Sequence, residues 1–278
     1  MGLARKTLGT AVIGLQTSLI YKNNFIMGFI TGIISLTVQL VFWPSFYGGG
    51  TDSSFATIKE TVIGGYYLNE IMTYSLVVYF IQRGNSMMNI GNTIKRDIMD
   101  GGMNILLIRP INYLWSKWIF SISGQIINTL LSFVVFLFMI TMVRIHFVLP
   151  GNIKQVLGVL LFSIFANLLS FLIHCIIGLL SFWILETSSI SMILNAAISI
   201  LSGAIFPLNY INNSIFDILK YLPFSYLVWF PTQIYLNKIS PELIYYNLLI
   251  CIIWIMVLLF TVYKIWITGI RKYAAFGG

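Results

Sequence analysis

Apolar residues run along this chain in blocks long enough to cross a bilayer, and the charges fall almost wholly between the blocks. A hydrocarbon layer about 30 Å thick takes roughly 20 apolar helical residues to span. The pattern predicts six spans, at residues 25–43, 63–81, 118–142, 155–181, 188–206 and 243–267. Soluble core helices are rarely so long and so uniformly apolar. The boundary between the fourth and fifth spans is the least marked, because 155–185 is one apolar run that would make a helix about 46 Å long. A break is expected over 182–189, where Glu186, Thr187, Ser188 and Ser189 form the polar cluster and Thr187 or Ser188 is placed to cap the next helix.

Between the spans, three segments have a pattern of their own. Before the first span, Leu8, Ala11, Val12, Leu15 and Leu19 recur at helical spacing among Lys6, Thr10, Gln16 and Lys22, which predicts a helix lying in the membrane interface over residues 1–24. The stretch 82–117 contains a candidate short helix capped by Asn92 or Thr93 and ended by Gly101-Gly102. On it Ile94 and Ile98 share a face while Lys95, Arg96 and Asp100 point elsewhere. That is a docking knob for a cytosolic partner or a solvated connector. The stretch 207–241 is too apolar for an ordinary loop and too interrupted for a span. Ser214-Ile215-Phe216-Asp217 reads as a capping box for a short helix ending before Pro223, and Pro231 disfavours a regular crossing over 224–236. Irregular backbone at membrane depth must be covered by protein or line a cavity. The segment is therefore expected to be a re-entrant hairpin of two short helices. The fold class is an all-α integral membrane protein.

Composition agrees, since 58% hydrophobic and 9% charged residues leave too little polar surface for a water-soluble globule. The distribution of lysine and arginine decides orientation, and the net charge of +8 needs no nucleic acid to explain it. With the N-terminus inside, Arg5, Lys6, Lys22, Arg83, Lys95, Arg96, Arg109, Lys117, Lys264, Arg271 and Lys272 are cytoplasmic, and Lys59, Arg144, Lys154, Lys220 and Lys238 are outside. Eleven against five places both termini in the cytoplasm. These residues sit at span ends and form no nucleic-acid stripe. No cleavable signal peptide is read at the start, because Trp43-Pro44-Ser45-Phe46 follows the first apolar run in place of a small-residue site.

Candidate chemistry is sparse. Glu70 is the one acid inside an expected span, about 10 Å from its outer end. With Tyr66, Tyr67 and Tyr74, and with Gln39 on the first span, it lines a substrate path, or it is held by a tyrosine hydroxyl or snorkels outward. His174 lacks a second ligand at helical spacing and is read as an interhelical hydrogen bond rather than a metal site. Asn128, Asn167 and Asn195 read as glue between helices, and Cys175 and Cys251 as packing residues. The sequence has no phosphate-binding Gly-rich loop, no G-x-S-x-G and no H-E-x-x-H. Any energy source must come from elsewhere.

Two stretches carry a family likeness. One is Asp97-Ile98-Met99-Asp100-Gly101-Gly102-Met103-Asn104-Ile105-Leu106-Leu107-Ile108-Arg109-Pro110. The other is Ser202-Gly203-Ala204-Ile205-Phe206-Pro207-Leu208, continuing to Leu222-Pro223-Phe224 and Phe230-Pro231. In these, and in span number and order, the chain resembles the six-span branch of bacterial type-2 ATP-binding-cassette (ABC) exporter permeases. The resemblance implies a permease subunit in the bacterial cytoplasmic membrane that pairs with a second copy or a paralogue. Two copies of a separate ABC ATPase would bind the nucleotide, so that ATP and Mg sit there and no cofactor sits in this chain. It implies that residues 92–101 are the main coupling helix, with Ile94, Lys95, Arg96, Asp97 and Ile98 meeting the ATPase. Glu186 lies in a second, smaller contact, and 207–241 closes the top of the path. The implied cargo is amphipathic or hydrophobic: a peptide, an antibiotic or a lipid. The rival readings are a secondary carrier or channel, and a membrane scaffold or immunity protein.

Overall fold

Long blocks without internal acids become long helices in the computed structural model, which describes residues 2–20, 22–47, 62–85, 87–108, 111–143 and 147–273. In chain order the helices are α1 (Gly2–Ile20), α2 (Lys22–Phe46), α3 (Leu68–Gly84), α4 (Ile90–Met99), α5 (Met103–Leu107), α6 (Tyr113–Val143), α7 (Ile153–Leu179), α8 (Ser188–Leu201), α9 (Asn213–Leu219), α10 (Trp229–Tyr235) and α11 (Pro241–Lys272). Single 3₁₀ turns follow α7 at Leu180–Phe182 and precede α9 at Leu208–Tyr210. Among the described residues four apolar stretches, in α2, α6, α7 and α11, are long enough to cross a bilayer. Their outward faces are rows of exposed apolar side chains, such as Ile30, Ile34, Val38 and Val41 on α2 and Leu249, Ile253, Met256 and Phe260 on α11. Such faces belong in lipid, and the chain is a multi-pass, all-helical membrane protein.

The other two expected spans are shorter than the sequence pattern implied. Over 63–81 the first residues form a tight turn, not a helix. Ile63 and Tyr66 exchange backbone hydrogen bonds of 3.1 and 3.0 Å across Gly64 and Gly65, whose φ values of 57° and 83° demand glycine. Helix α3 starts only at Leu68 and has 17 residues. Residues 71–79 are buried on every side, so α3 is an interior helix and tolerates Glu70 and Arg83 at its ends. Over 188–206 the helix stops at Leu201, because Gly203 (φ 77°) closes a Schellman motif: its N–H bonds Ile200 O and that of Ala204 bonds Ser199 O. At 14 residues, α8 is about 21 Å long.

The centre of the bundle is α7, which packs against α11, α4, α10 and α3. Its buried face includes Phe162, Ala166, Leu169 and Leu172. Of the interhelical polar contacts read from the sequence, those of His174, Asn195 and Asn167 are present: His174 Nε2 lies 2.9 Å from Asn195 Oδ1 on α8, and Asn167 Nδ2 donates to Gln125 Oε1 on α6 at 2.6 Å. Cys175 and Cys251 are buried, unbridged packing residues. Helix α1 lies against α6, with Gly14 close to the Phe120 carbonyl while Leu8 and Val12 point away from the bundle.

Candidate coupling interface and the cap at the opposite end

Charged and apolar positions on α4 sort onto opposite sides. Ile90, Gly91, Ile94 and Ile98 are buried, and Asn92, Arg96 and Asp100 are exposed. The helix begins two residues before the expected cap. Asn89 takes the N-cap position without a side-chain bond, and Thr93 Oγ1 donates back to its carbonyl at 3.0 Å. The reading of Ile94 and Ile98 as a surface knob is corrected here. Ile94 is fully buried and Ile98 is 5% exposed, both packed into the chain's own core. The partner of that apolar face is α7. A Cβ placed on Gly178 would lie 2.8 Å from both the Gly91 carbonyl oxygen and Ile94 Cβ, so the two helices touch backbone to backbone.

The charged residues of α4 tie this helix to its neighbours. Lys95 Nζ donates to Glu186 Oε1 at 3.0 Å and to Ser188 Oγ at 2.8 Å. The same Glu186 oxygen accepts the Ser188 backbone N–H at 2.7 Å, capping α8 in place of the expected Thr187 or Ser188 hydroxyl. Thr187 Oγ1 instead meets Ser181 Oγ at 3.1 Å. The Ser188 hydroxyl, the Lys95 ammonium and the Ser188 N–H together hold the Glu186 carboxyl down at about 2, so it is ionised throughout the physiological range. On the other flank Asp97 Oδ2 accepts from Tyr113 Oη at 2.6 Å and pairs with Lys117 Nζ at 2.5 Å, and Tyr113 stacks on Trp266 of α11 at 5.1 Å. The two segments expected to be separate contacts, α4 and the turn at Glu186, therefore form one ledge. Its outward edge is Asn92, Arg96 and Asp100. Arg109 and Pro110 lie outside the described residues.

At the opposite end of the bundle, the tyrosines expected to line a path are mostly sealed. Tyr66 and Tyr74 are buried, at 0% and 2% exposure, while Tyr67 is 47% exposed. Tyr66 Oη donates to Asn209 Oδ1 at 3.2 Å and accepts from Gln233 Nε2, and Tyr74 Oη donates to the Gly203 carbonyl at 2.6 Å. Trp229 Nε1 donates to Asn209 Oδ1 at 2.9 Å, and Tyr47 Oη to the Tyr66 carbonyl at 2.8 Å. Gln39 is half-buried on α2.

Glu70 does not lie seven residues into a helix. It is the third residue of α3, where Oε2 accepts the Tyr67 backbone N–H at 3.0 Å and pairs with Lys238 Nζ at 2.8 Å. No tyrosine hydroxyl among the described residues holds it. Lys238 also donates to the Gly65 carbonyl at 2.8 Å and sits 4.6 Å from the Tyr66 ring centre. Nothing local in the sequence marks Lys238 as this partner, nor Tyr113 and Lys117 as partners of Asp97. The Gly64-Gly65 pair, a standard turn signal, was available.

Segment 207–241 supplies the rest of the cap. Helix α9 is capped by Asn212, whose Oδ1 accepts the Ser214 N–H at 3.0 Å, and not by Ser214. Helix α10 accepts Pro231 in its first turn, where a missing N–H breaks no helical bond, and its residues 229–234 are buried. Phe230 meets Phe162 of α7 at 4.8 Å.

One end of the bundle is thus a polar ledge packed on the central helix, and the other is a hydrogen-bonded cap. No curated protein and no solved structure matches the chain. The family model of the ABC-2 family transporter proteins matches residues 54–277, so the chain belongs to that family.

Proposed function

We propose that this chain is the permease subunit of an ABC exporter, with an ATPase docked on the α4 ledge and the cap at the far end closing the substrate path. ABC-2 membrane components work with an ABC ATPase, and ATP and Mg belong to that partner. The observation that carries the reading is the ledge. Its exposed edge, Asn92, Arg96 and Asp100, is polar and unobstructed, and its other side touches α7 through Gly91 and Gly178. A push on α4 therefore reaches the bundle's central helix without flexible side chains in between.

In this reading α4 and both termini are cytoplasmic, and α3 and α8 complete six crossings together with the irregular segments that extend them. The 207–241 segment is a re-entrant hairpin roofing the path from outside. Arg96 is the principal docking residue. Lys95, Asp97 and Glu186 hold the ledge in shape, and Ile94 and Ile98 fix it to the core. Tyr66, Tyr74 and Glu70 belong to the closed roof, with Tyr67 and Gln39 beside it. Two permease copies, identical or paralogous, enclose the path in the bacterial cytoplasmic membrane, and an amphipathic or hydrophobic cargo leaves outward between them. A mild-detergent pull-down with an ATPase assay on the eluate tests this. Wild type should bring down an ATPase, and Arg96→Glu should lose it while inserting normally. A lone chain without ATPase activity would favour a secondary carrier or a scaffold.

A further inference from the structure

A cavity of about 390 Å³ opens beside the cap, between α9, α10 and the first turns of α11. Its apolar wall is Phe216, Tyr221, Trp229, Leu243 and Tyr246. Tyr221, Leu243 and Tyr246 are themselves 42–52% exposed, and they continue onto the lipid-facing start of α11. The polar side of the wall holds two ammonium groups, Lys220 and Lys238, with the amides of Asn209, Gln233 and Asn247. Among the described residues no acid lines the cavity. The carboxylates that pair with the two lysines lie behind or outside it: Glu70 on α3, and Asp217, whose side chain is 65% exposed.

An ammonium has three donors. Lys220 gives one to Asp217 at 2.7 Å, and Lys238 gives two, to Gly65 O and Glu70. Donors therefore remain on both lysines for a further acceptor. Each ammonium is charge-compensated by its own carboxylate, but the ammonium lines the cavity while the carboxylate lies behind or outside it, so the lining presents donors that favour an anionic or strongly accepting head, and its aromatic and aliphatic wall favours an apolar tail. Position adds to this, since aromatic residues at a helix start mark the membrane–water interface, where head and tail of an amphiphile separate.

We propose that this cavity binds an anionic amphiphile from the adjoining membrane leaflet, with its charged head on Lys220 and Lys238 and its apolar part against Phe216, Trp229 and Leu243. The proposal stands whether or not the chain exports anything.

The test is native mass spectrometry of the purified full chain in detergent. It is titrated with dioleoyl phosphatidylglycerol, with dioleoyl phosphatidylcholine, and with phosphatidylglycerol in excess inorganic phosphate. Lys220→Gln removes a partly exposed head contact, and Leu243→Trp fills the apolar wall from an exposed helix position, so neither threatens folding. Each should weaken one equivalent of phosphatidylglycerol about ten-fold. Lys154→Gln, an exposed lysine at the same end outside the cavity, should leave binding unchanged. Phosphatidylcholine should bind more weakly, and phosphate should not displace the lipid. Equal weakening by Lys154→Gln would mean general surface charge, and full displacement by phosphate would mean a head-only anion site. Either result, or phosphatidylglycerol binding untouched by both cavity variants, would overturn the proposal.

Discussion

Substituting Gly178 by alanine should disconnect the ledge from the bundle at the cost of one methyl group. The added carbon would sit 2.8 Å from the Gly91 carbonyl oxygen and from Ile94 Cβ. Ordinary carbon contacts begin near 3.5 Å, so α4 has to retreat by about 0.7 Å. Overpacking of this kind costs about 1–3 kcal/mol, offset by up to about 1 kcal/mol from replacing glycine in a helix. Global stability should therefore fall only modestly. The larger effect is on coupling, where losses of about 0.5–2 kcal/mol correspond to roughly two- to thirty-fold in turnover. The assay is ATPase turnover of the permease–ATPase complex reconstituted in vesicles, with the amount of assembled complex measured in the same sample. Gly84→Ala is the matched control, since it too sits at a helix end but its new methyl would meet Thr129 Oγ1 at an unstrained 3.5 Å. Unchanged turnover in Gly178→Ala, or an equal fall in Gly84→Ala, would refute the idea that the glycine contact transmits motion.

Other perturbations separate docking from folding. Ile94→Asp places an unpaired carboxylate in the core and should lose about 3–5 kcal/mol of stability with the chain failing to accumulate, whereas Arg96→Glu should accumulate normally and lose the ATPase; pull-down against membrane abundance distinguishes them. The Glu186 carboxyl is held at about 2 against an ordinary 4.5, so what it contributes is complete above about pH 4.5 and is lost only as pH falls through 2. ATPase co-purification should then be flat between pH 5 and 8; a transition in that window abolished by Glu186→Gln would contradict it. Lys238→Ala leaves Glu70 with the Tyr67 N–H alone and should lower stability by about 1 kcal/mol, and the Gly64–Gly65 turn should become more open to hydrogen exchange.

What the sequence could show depended on how far apart the interacting residues lie. The break after α7 was readable because Glu186, Thr187 and Ser188 are adjacent polar residues in an apolar run, and the polar character of His174 and Asn195 made glue between neighbouring helices the natural reading. Local chemistry was also sufficient, though misapplied, at two places. Gly64-Gly65 marks a turn that shortens α3, and Asn212, two residues before Ser214, is as good a cap as serine. By contrast, the stripe of Ile94 and Ile98 identifies an apolar face but not what covers it. The answer rests on Gly91 meeting Gly178, a contact between residues far apart in sequence whose only local trace is the absence of a side chain. The same holds for Glu70 and Lys238, 168 residues apart, and for Asp97 with Tyr113 and Lys117.

Helix α7 runs between the two ends of the bundle and packs on both. At one end of α7, Gly178 rests on α4. At the other, a Cβ on Gly158 would lie 3.0 Å from Ile234 of α10, and Phe162 packs on Phe230 at 4.8 Å. Twenty helical residues separate Gly158 from Gly178, a strut of about 30 Å with no proline inside it. Close-packed helices shift as rigid bodies rather than deform, so on the proposed mechanism a tilt of α7 imposed at the ledge would carry α10 at the cap with it. Helix α10 and the residues beside it are held to their surroundings by the Gln233–Tyr66 and Trp229–Asn209 hydrogen bonds, by the Trp229 N–H on the Ser202 carbonyl, by Tyr235 on the Val148 carbonyl, and by Lys238 bridging Glu70 and Gly65. In the exporter proposed above, breaking those contacts by substitution should bias the cap open without any nucleotide, while stiffening them should raise the work the ATPase has to deliver.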